Sequence, residues 1–250
     1  GCLVSLLAVF LHFYEKQNGH YNLIFAATAE EEISGTGGIE YTLPFLPKID
    51  CAIVGEPTQM QMAVAERGLM VLDCVSHGKA GHAARNEGEN AIYKALKDIS
   101  WFNSYQLDKV SPLLGPSKMS VTVIETENKA HNVVPAVCKF VVDTRINELY
   151  SFEEVIDLIK ANVDCEVKPR STRLRSTSIA LDHPLVKAGI SLGRTYYGSP
   201  TTSDKALMPF PSLKMGPGDS ARSHTADEYI FIEEIKEGIA LYINLLNQVI

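Results

Sequence analysis

Thr28-Ala29-Glu30-Glu31-Glu32 sets three carboxylates in succession directly behind the apolar run from Tyr21 to Ala27. Like charges crowded at such a point cost free energy unless a cation or a helix N-terminus offsets them. The plain structural reading is the second, because Ser34-Gly35-Thr36-Gly37-Gly38 opens a short helix that ends near Pro44. A further carboxylate, Glu56 in Val54-Gly55-Glu56-Pro57-Thr58, also closes an apolar run, and an imidazole stands in Ser223-His224-Thr225-Ala226-Asp227. Taken singly, Glu56 is a turn before proline and His224 a solvated loop histidine. Taken together on one sheet edge, these oxygen and nitrogen donors suit Zn2+ or a similar divalent ion.

Two strands must position those acids. Residues 21–27 and 49–54 are compact apolar runs bounded by polar turns, which is how buried strands read. Strands that end in polar loops followed by helices belong to an α/β sheet, whose active sites gather at the carboxyl ends of the strands. From Gly68 the order changes to strand 69–76, helix 90–101, strand 120–125, strand 133–144, helix 153–161 and strand 164–168. That β-α-β-β-α-β order is the ferredoxin-like split pattern and predicts an inserted domain over 68–175. The remainder, 1–67 and 176–250, is expected to form the other domain, with a helix over about 183–196, a strand near 212–215 and a closing helix over 232–249.

The chain has 250 residues, 46% of them hydrophobic and 21% charged, enough for one large domain or two smaller ones. A net charge of −7 argues against a nucleic acid or an anionic membrane as partner and favours a small molecule. Five scattered cysteines, none in a C-x-x-C pair, indicate neither a disulfide framework nor a zinc knuckle, so a cytoplasmic setting is expected. The opening run 1–14 has no basic segment before it and is too short to span a bilayer. Leu3, Leu6, Leu7, Phe10, Leu11 and Tyr14 recur at helical spacing, predicting a helix buried on that face and fraying through 15–19. Beginning without Met inside a packed element, the sequence reads as a piece of something longer.

Five motifs occur in order: T-x-E-E-E at Thr28, Gly55-Glu56-Pro57-Thr58, Gly78-Lys79-Ala80-Gly81-His82, Asn132-Val133-Val134-Pro135 with Asp143-Thr144-Arg145, and Gly216-Pro217-Gly218-Asp219 before His224. In that order the chain resembles the di-zinc family of acetylornithine deacetylase, succinyl-diaminopimelate desuccinylase and carboxypeptidase G. The resemblance implies a mixed-sheet, zinc-peptidase-like catalytic domain with the ferredoxin-like insert as lid and dimerisation domain. It implies two Zn2+ per site, with Co2+ as a possible substitute, in a homodimer. Glu31 then looks like the general base and Glu32 like a ligand of one zinc, which His224 shares, while Glu56 looks like a ligand of the other. His82 resembles the histidine that reaches the partner subunit's active site to donate to the oxyanion. Asn132, Arg145, Gly216 and Gly218 fall where the family contacts substrate. The structural alternative for Arg145 is a strand-end salt bridge with Asp143.

The family pattern also contains an H-x-D motif and a bridging Asp, and this sequence has neither; Gly1-Cys2-Leu3 matches the helix start that follows that Asp. The chain thus offers at most Glu32, Glu56 and His224 as ligands. Residues 215–229 are most similar to acetylornithine deacetylases, which favours hydrolysis of an N-acyl-ornithine in arginine synthesis. The alternatives are a desuccinylase or dipeptidase of the same family and, in another class, a catalytically silent dimerisation or ligand-binding module.

Overall fold

The computed structural model describes residues 1–14, 16 and 21–250; the expected fraying of the first helix through 15–19 lies, apart from Lys16, outside them. The architecture is mixed α/β, in two compact units: residues 1–66 with 177–250, and residues 67–176.

The second unit follows its sequence pattern closely. Strand Gly68–His77 alternates buried residues with half-buried or exposed ones along its length, and Val137–Ile146 does the same. The two pair antiparallel from Gly68 opposite Ile146 to His77 opposite Val137. Strands Lys118–Glu125 and Glu166–Pro169 flank them, giving the order 118–125, 137–146, 68–77, 166–169. That order, with helices Ala91–Ser104 and Phe152–Asn162 in the crossovers, is the ferredoxin-like arrangement. The inward residues Met70, Leu72, Cys74, Phe140 and Val142 pack under Phe102, Val155 and Ile159 of the helices. Asn90 caps the first helix through Ile92 N at 2.9 Å, and Ser151 and Glu154 form a reciprocal capping box on the second. The expected single strand over 133–144 is two, Val133–Val134 and Val137–Ile146, because Pro135 has no N–H to give a ladder.

The first unit departs further from expectation. Its sheet runs Ala52–Val54, Ser212–Lys214, Met62–Glu66, Tyr196–Ser199, with Thr177–Ser178 also paired to Met62–Glu66. The outer pairs are parallel and the Lys214–Ala63 pairing is antiparallel, so the sheet is mixed. Met62–Glu66, buried at all of its five positions, is a central strand that the sequence reading passes over. Residues 21–27, expected as a buried strand, carry no ladder, and Tyr21, Leu23 and Ile24 are exposed. A strand exists only through its neighbours' hydrogen bonds, and among the described residues none lies alongside this run.

The first helix, Cys2–Tyr14, forms as expected but turns a different face inward: Ser5, Val9 and Phe13 are buried, while Leu3, Leu7, Leu11 and Tyr14 are exposed. The helix is apolar nearly all round, so periodicity could not select a face. Ser5 tolerates burial because its hydroxyl donates to Gly1 O at 3.1 Å. The helix predicted over 183–196 stops at Ser191, where Gly193 takes φ +76° and releases the chain into strand Tyr196–Ser199. Helix Ile232–Leu246 packs against both Cys2–Tyr14 and Pro184–Ser191, and its buried Tyr242 hydroxyl donates to Met215 O.

Candidate active site and metal centre

The acidic run sits on a tight turn. Glu30 and Ser34 both hold left-handed backbone, at φ 63° and 50°, a conformation that costs a non-glycine residue on the order of 1 kcal/mol or more. Ser34 N donates to Glu31 O at 2.9 Å and Gly35 N to Glu30 O at 3.0 Å, closing the turn. The Glu30 carboxylate accepts Gly37 N at 2.8 Å, and a Cβ on Gly35 would lie 2.2 Å from Glu30 Oε2. The plain structural role foreseen for the acids therefore falls to Glu30 alone. The side chains of Glu31 and Glu32 take no part in closing the turn, to which Glu31 lends only its carbonyl.

Glu56 follows strand Ala52–Val54 in a loop knitted to residues 216–219. Thr58 N and Met60 N both donate to Gly216 O, at 3.1 and 2.9 Å, and Gly216 N donates to Thr58 Oγ1 at 3.1 Å. Gly216 must be glycine, since a Cβ there would meet Glu56 O at 2.5 Å, and Gly218 takes φ +91°. Both glycines, expected at the substrate, are seen here in backbone packing around Glu56. Gln59 and Met60 add two more left-handed residues, at φ 54° and 57°.

These carboxyls repel one another. Burial, then Glu31, pushes the Glu56 carboxyl up to about 7, against the pull of Lys214. Burial raises Glu31 as well, with Glu32 and Asp204 adding to it. His224, also left-handed at φ 59°, brings Nε2 within 3.9 Å of Glu32 Oε2, both side chains being well exposed. That span fits two donors around one ion, because zinc bonds to nitrogen and oxygen are each about 2.0–2.2 Å. Among the described residues no group of three His, Cys, Asp or Glu side chains closes on a point. The donors thus match a divalent cation in chemistry and could supply part of its shell.

The remaining candidates belong to the second unit. His82 and Val133 face each other in a two-stranded ladder, and Asn132 O accepts Ala83 N at 2.9 Å, so His82 and Asn132 are neighbours. His82 Nδ1 accepts Ala84 N at 3.1 Å, leaving Nε2 outward. Arg145 lies at the other end of the sheet, eight residues along from Val137, which is about 26 Å at ~3.3 Å per residue. Its Nε and Nη2 donate to Asp143 Oδ1 and Oδ2 at 2.8 and 3.0 Å, the salt bridge foreseen as its structural alternative. Within this unit, then, the structure joins His82 with Asn132 and keeps Arg145 apart.

A cluster unread from the sequence lies among the strands of the first unit. Glu66 is fully buried and pairs with Lys214 Nζ at 3.1 Å, and Lys205, 1% exposed, donates to Val64 O at 3.2 Å. Burial drives Lys205 down to about 8. The signal was available: a charge inside a short apolar run, as in Met62-Ala63-Val64-Ala65-Glu66 and Ser212-Leu213-Lys214-Met215, is costly to bury unpaired.

Residues 64–170 match the family of the peptidase dimerisation domain of M20 enzymes. The chain is 24% identical over 270 residues to succinyl-diaminopimelate desuccinylase of Orientia tsutsugamushi, covering 98% of this chain and 69% of that protein. The enzyme of the same name from Zymomonas mobilis is 32% identical over 160 residues, 60% of this chain and 42% of that one. In structure the chain is similar to aminopeptidase PepT from Bacillus cereus, with a TM-score of 0.79 at 19% identity over 99% of this chain and 69% of that one. An M20 family metallo-carboxypeptidase from Sulfolobus solfataricus gives 0.64 at 16% identity, covering 98% and 75%. Residues 64–170 thus match the dimerisation domain found in M20 peptidases, and the chain as a whole shares the fold of these solved structures. The chain spans from 42% to 69% of the length of these two curated relatives. Among the described residues no helix is long and apolar enough to cross a membrane.

Proposed function

We propose that the chain works in a metal-dependent amidohydrolase that removes the N-acyl group from a small amino acid. Residues 1–66 and 177–250 are the catalytic unit, and 67–176 the lid and dimer unit. The observation that carries this is the approach of Glu32 and His224 to 3.9 Å beside the raised carboxyls of Glu31 and Glu56. Glu32, His224 and Glu56 would hold the zinc ions. When bound, the ions supply Lewis acidity toward the amide carbonyl and the attacking water. Glu31 takes the proton from that water and passes it to the leaving nitrogen; its raised pKa brings it toward the range in which a general base works at neutral pH. His82, with its outward Nε2, donates to the oxyanion in the partner subunit's site. Asn132 stands beside it, and Arg145 binds the substrate carboxylate only by exchanging Asp143 for it.

The relatives' names support an N-succinyl diamino acid as substrate, and residues 215–229 support an N-acyl-ornithine as the second reading, which would place the enzyme in arginine synthesis. A homodimer through 67–176 is supported by the family match and by edge strand Lys118–Glu125, which leaves Val123 and Ile124 half exposed. The test is to assay the full-length protein with Zn2+ or Co2+ on N-succinyl-diaminopimelate and N-acetylornithine. The leading reading expects the succinyl substrate to be preferred. Preference for N-acetylornithine would establish the second, and a metal-loaded protein inert on both and on dipeptides would leave the silent module.

A further inference from the structure

We propose that Lys214, Glu66 and Asp204 are positioning residues: the buried Lys214–Glu66 pair fastens segment 199–204, and Asp204 at its end holds Thr28 and with it the turn bearing Glu31 and Glu32. This rests on the function proposed above for its consequence in catalysis, and on geometry alone for the linkage itself.

Both members of the pair bond to that segment, Lys214 donating and Glu66 accepting. Lys214 Nζ donates to Ser199 Oγ at 3.3 Å and to Thr201 Oγ1 at 3.1 Å. Glu66 accepts Ser203 N at 3.2 Å and Ser203 Oγ at 2.8 Å. The two ends of the segment are thus tied to two different strands, Ser212–Lys214 and Met62–Glu66. Ser203 Oγ in turn accepts Lys205 N at 3.4 Å and starts the single turn Asp204–Leu207. There the Asp204 carboxylate receives Thr28 Oγ1 at 3.2 Å, across 176 residues of sequence. Thr28 leads directly into the strained turn at Glu30 and Ser34.

A role in stability alone accounts poorly for this arrangement. Burying an ion pair costs desolvation that its attraction scarcely repays, and apolar residues of similar volume would serve a core as well. What charged partners add is direction, because each hydrogen bond fixes where one atom of the segment must lie. The strained turn needs such an external hold, since left-handed Glu30 and Ser34 would relax if the turn were free.

The experiment uses the full-length protein and reads amide exchange over 28–37, where Ser34, Gly35 and Gly37 N–H groups are bonded within the turn. Thr28→Val and Asp204→Ala are expected to speed exchange there at least ~10-fold without lowering the melting temperature appreciably. Asp204→Asn keeps an acceptor for Thr28 and should leave exchange close to wild type. Lys214→Met should loosen 199–207 and 28–37 together; if it does not fold, the loop variants decide. On substrate, Thr28→Val should lower kcat at least ~10-fold with KM nearly unchanged. Unaltered exchange at 28–37 in both Thr28→Val and Asp204→Ala overturns the proposal, whatever happens to activity. Faster exchange in a protein that hydrolyses neither substrate keeps the linkage and refutes the catalytic reading instead.

Discussion

The two units differ in where they tolerate unfavourable conformation and charge. Among the described residues, all five non-glycine positions with positive φ (Glu30, Ser34, Gln59, Met60 and His224) belong to 1–66 and 177–250, each within a few residues of a candidate acid or ligand or at one. The same unit buries Glu66, Lys205 and Lys214. In 67–176 positive φ falls only on Gly88 and Gly115, and its buried Asp98 accepts hydrogen bonds from two backbone N–H groups, of Asp164 and Cys165, each at 3.0 Å. One unit is a regular scaffold; the other holds strain and buried charge near the ends of its strands, the pattern that functional sites tend to concentrate.

The sharpest break in this comparison comes from Glu31 and Glu32, neighbours given different work. In the full-length protein Glu31→Gln should retain metal while kcat falls by ~10²–10⁴. Glu32→Gln should lose metal, because an anionic donor becomes a neutral amide. Metal content measured beside turnover decides, and loss of metal from Glu31→Gln with retention in Glu32→Gln would reverse the assignment.

In the scaffold unit the largest effect is expected from its core. Phe140, 1% exposed and edge-on to Phe102 at 6.1 Å, should cost about 3–5 kcal/mol when cut to alanine. Urea unfolding followed by circular dichroism measures this, and a change under 1 kcal/mol would mean the sheet and its helices are not packed as described.

The stored charge should show in the pH dependence of stability without metal. A carboxyl raised from 4.5 to about 7 holds its proton in the folded state over a range where the unfolded chain has lost it. Stability from Glu56 is therefore present below the unfolded value and lost as pH rises through the folded one, by about 3 kcal/mol at most between pH 4.5 and 7. Melting in a chelator should fall from pH 5 to pH 8, Glu56→Gln should flatten the slope, and a divalent ion should oppose it. A melting temperature that rises over that interval in the chelator would contradict the description of Glu56.

The smallest effect returns to the scaffold: Ser151→Ala removes one half of an exposed capping box, with Glu154 N on Ser151 Oγ at 3.1 Å and Ser151 N on Glu154 Oε2 at 2.9 Å. It should cost about 1 kcal/mol in thermal unfolding and leave turnover intact.

Much of the second unit could be read from the chain alone, because a strand covered on one face writes period-two alternation and a capped helix writes Ser-x-x-Glu, both local signals. The acids and His224 were legible as types and spacing, in Thr28 to Glu32, Val54 to Thr58 and Ser223 to Asp227. That Glu32 and His224 belong together was implied by the family resemblance; that Glu30 is consumed by its own turn was not, because it depends on left-handed residues that no propensity foretells. Residues 21–27 have a strand's composition, yet pairing is a property of two segments, and only the fold reports that no strand among the described residues pairs with them. The helix Cys2–Tyr14 is legible as a helix, but the face expected to be buried, that of Leu3, Leu7, Leu11 and Tyr14, is exposed, since nearly uniform apolarity carries no direction. Glu66 with Lys214, and Asp204 with Thr28, are partners separated by 148 and 176 residues. Composition determined that such charges existed and that burying them would be costly; the tertiary structure alone decided which of them met.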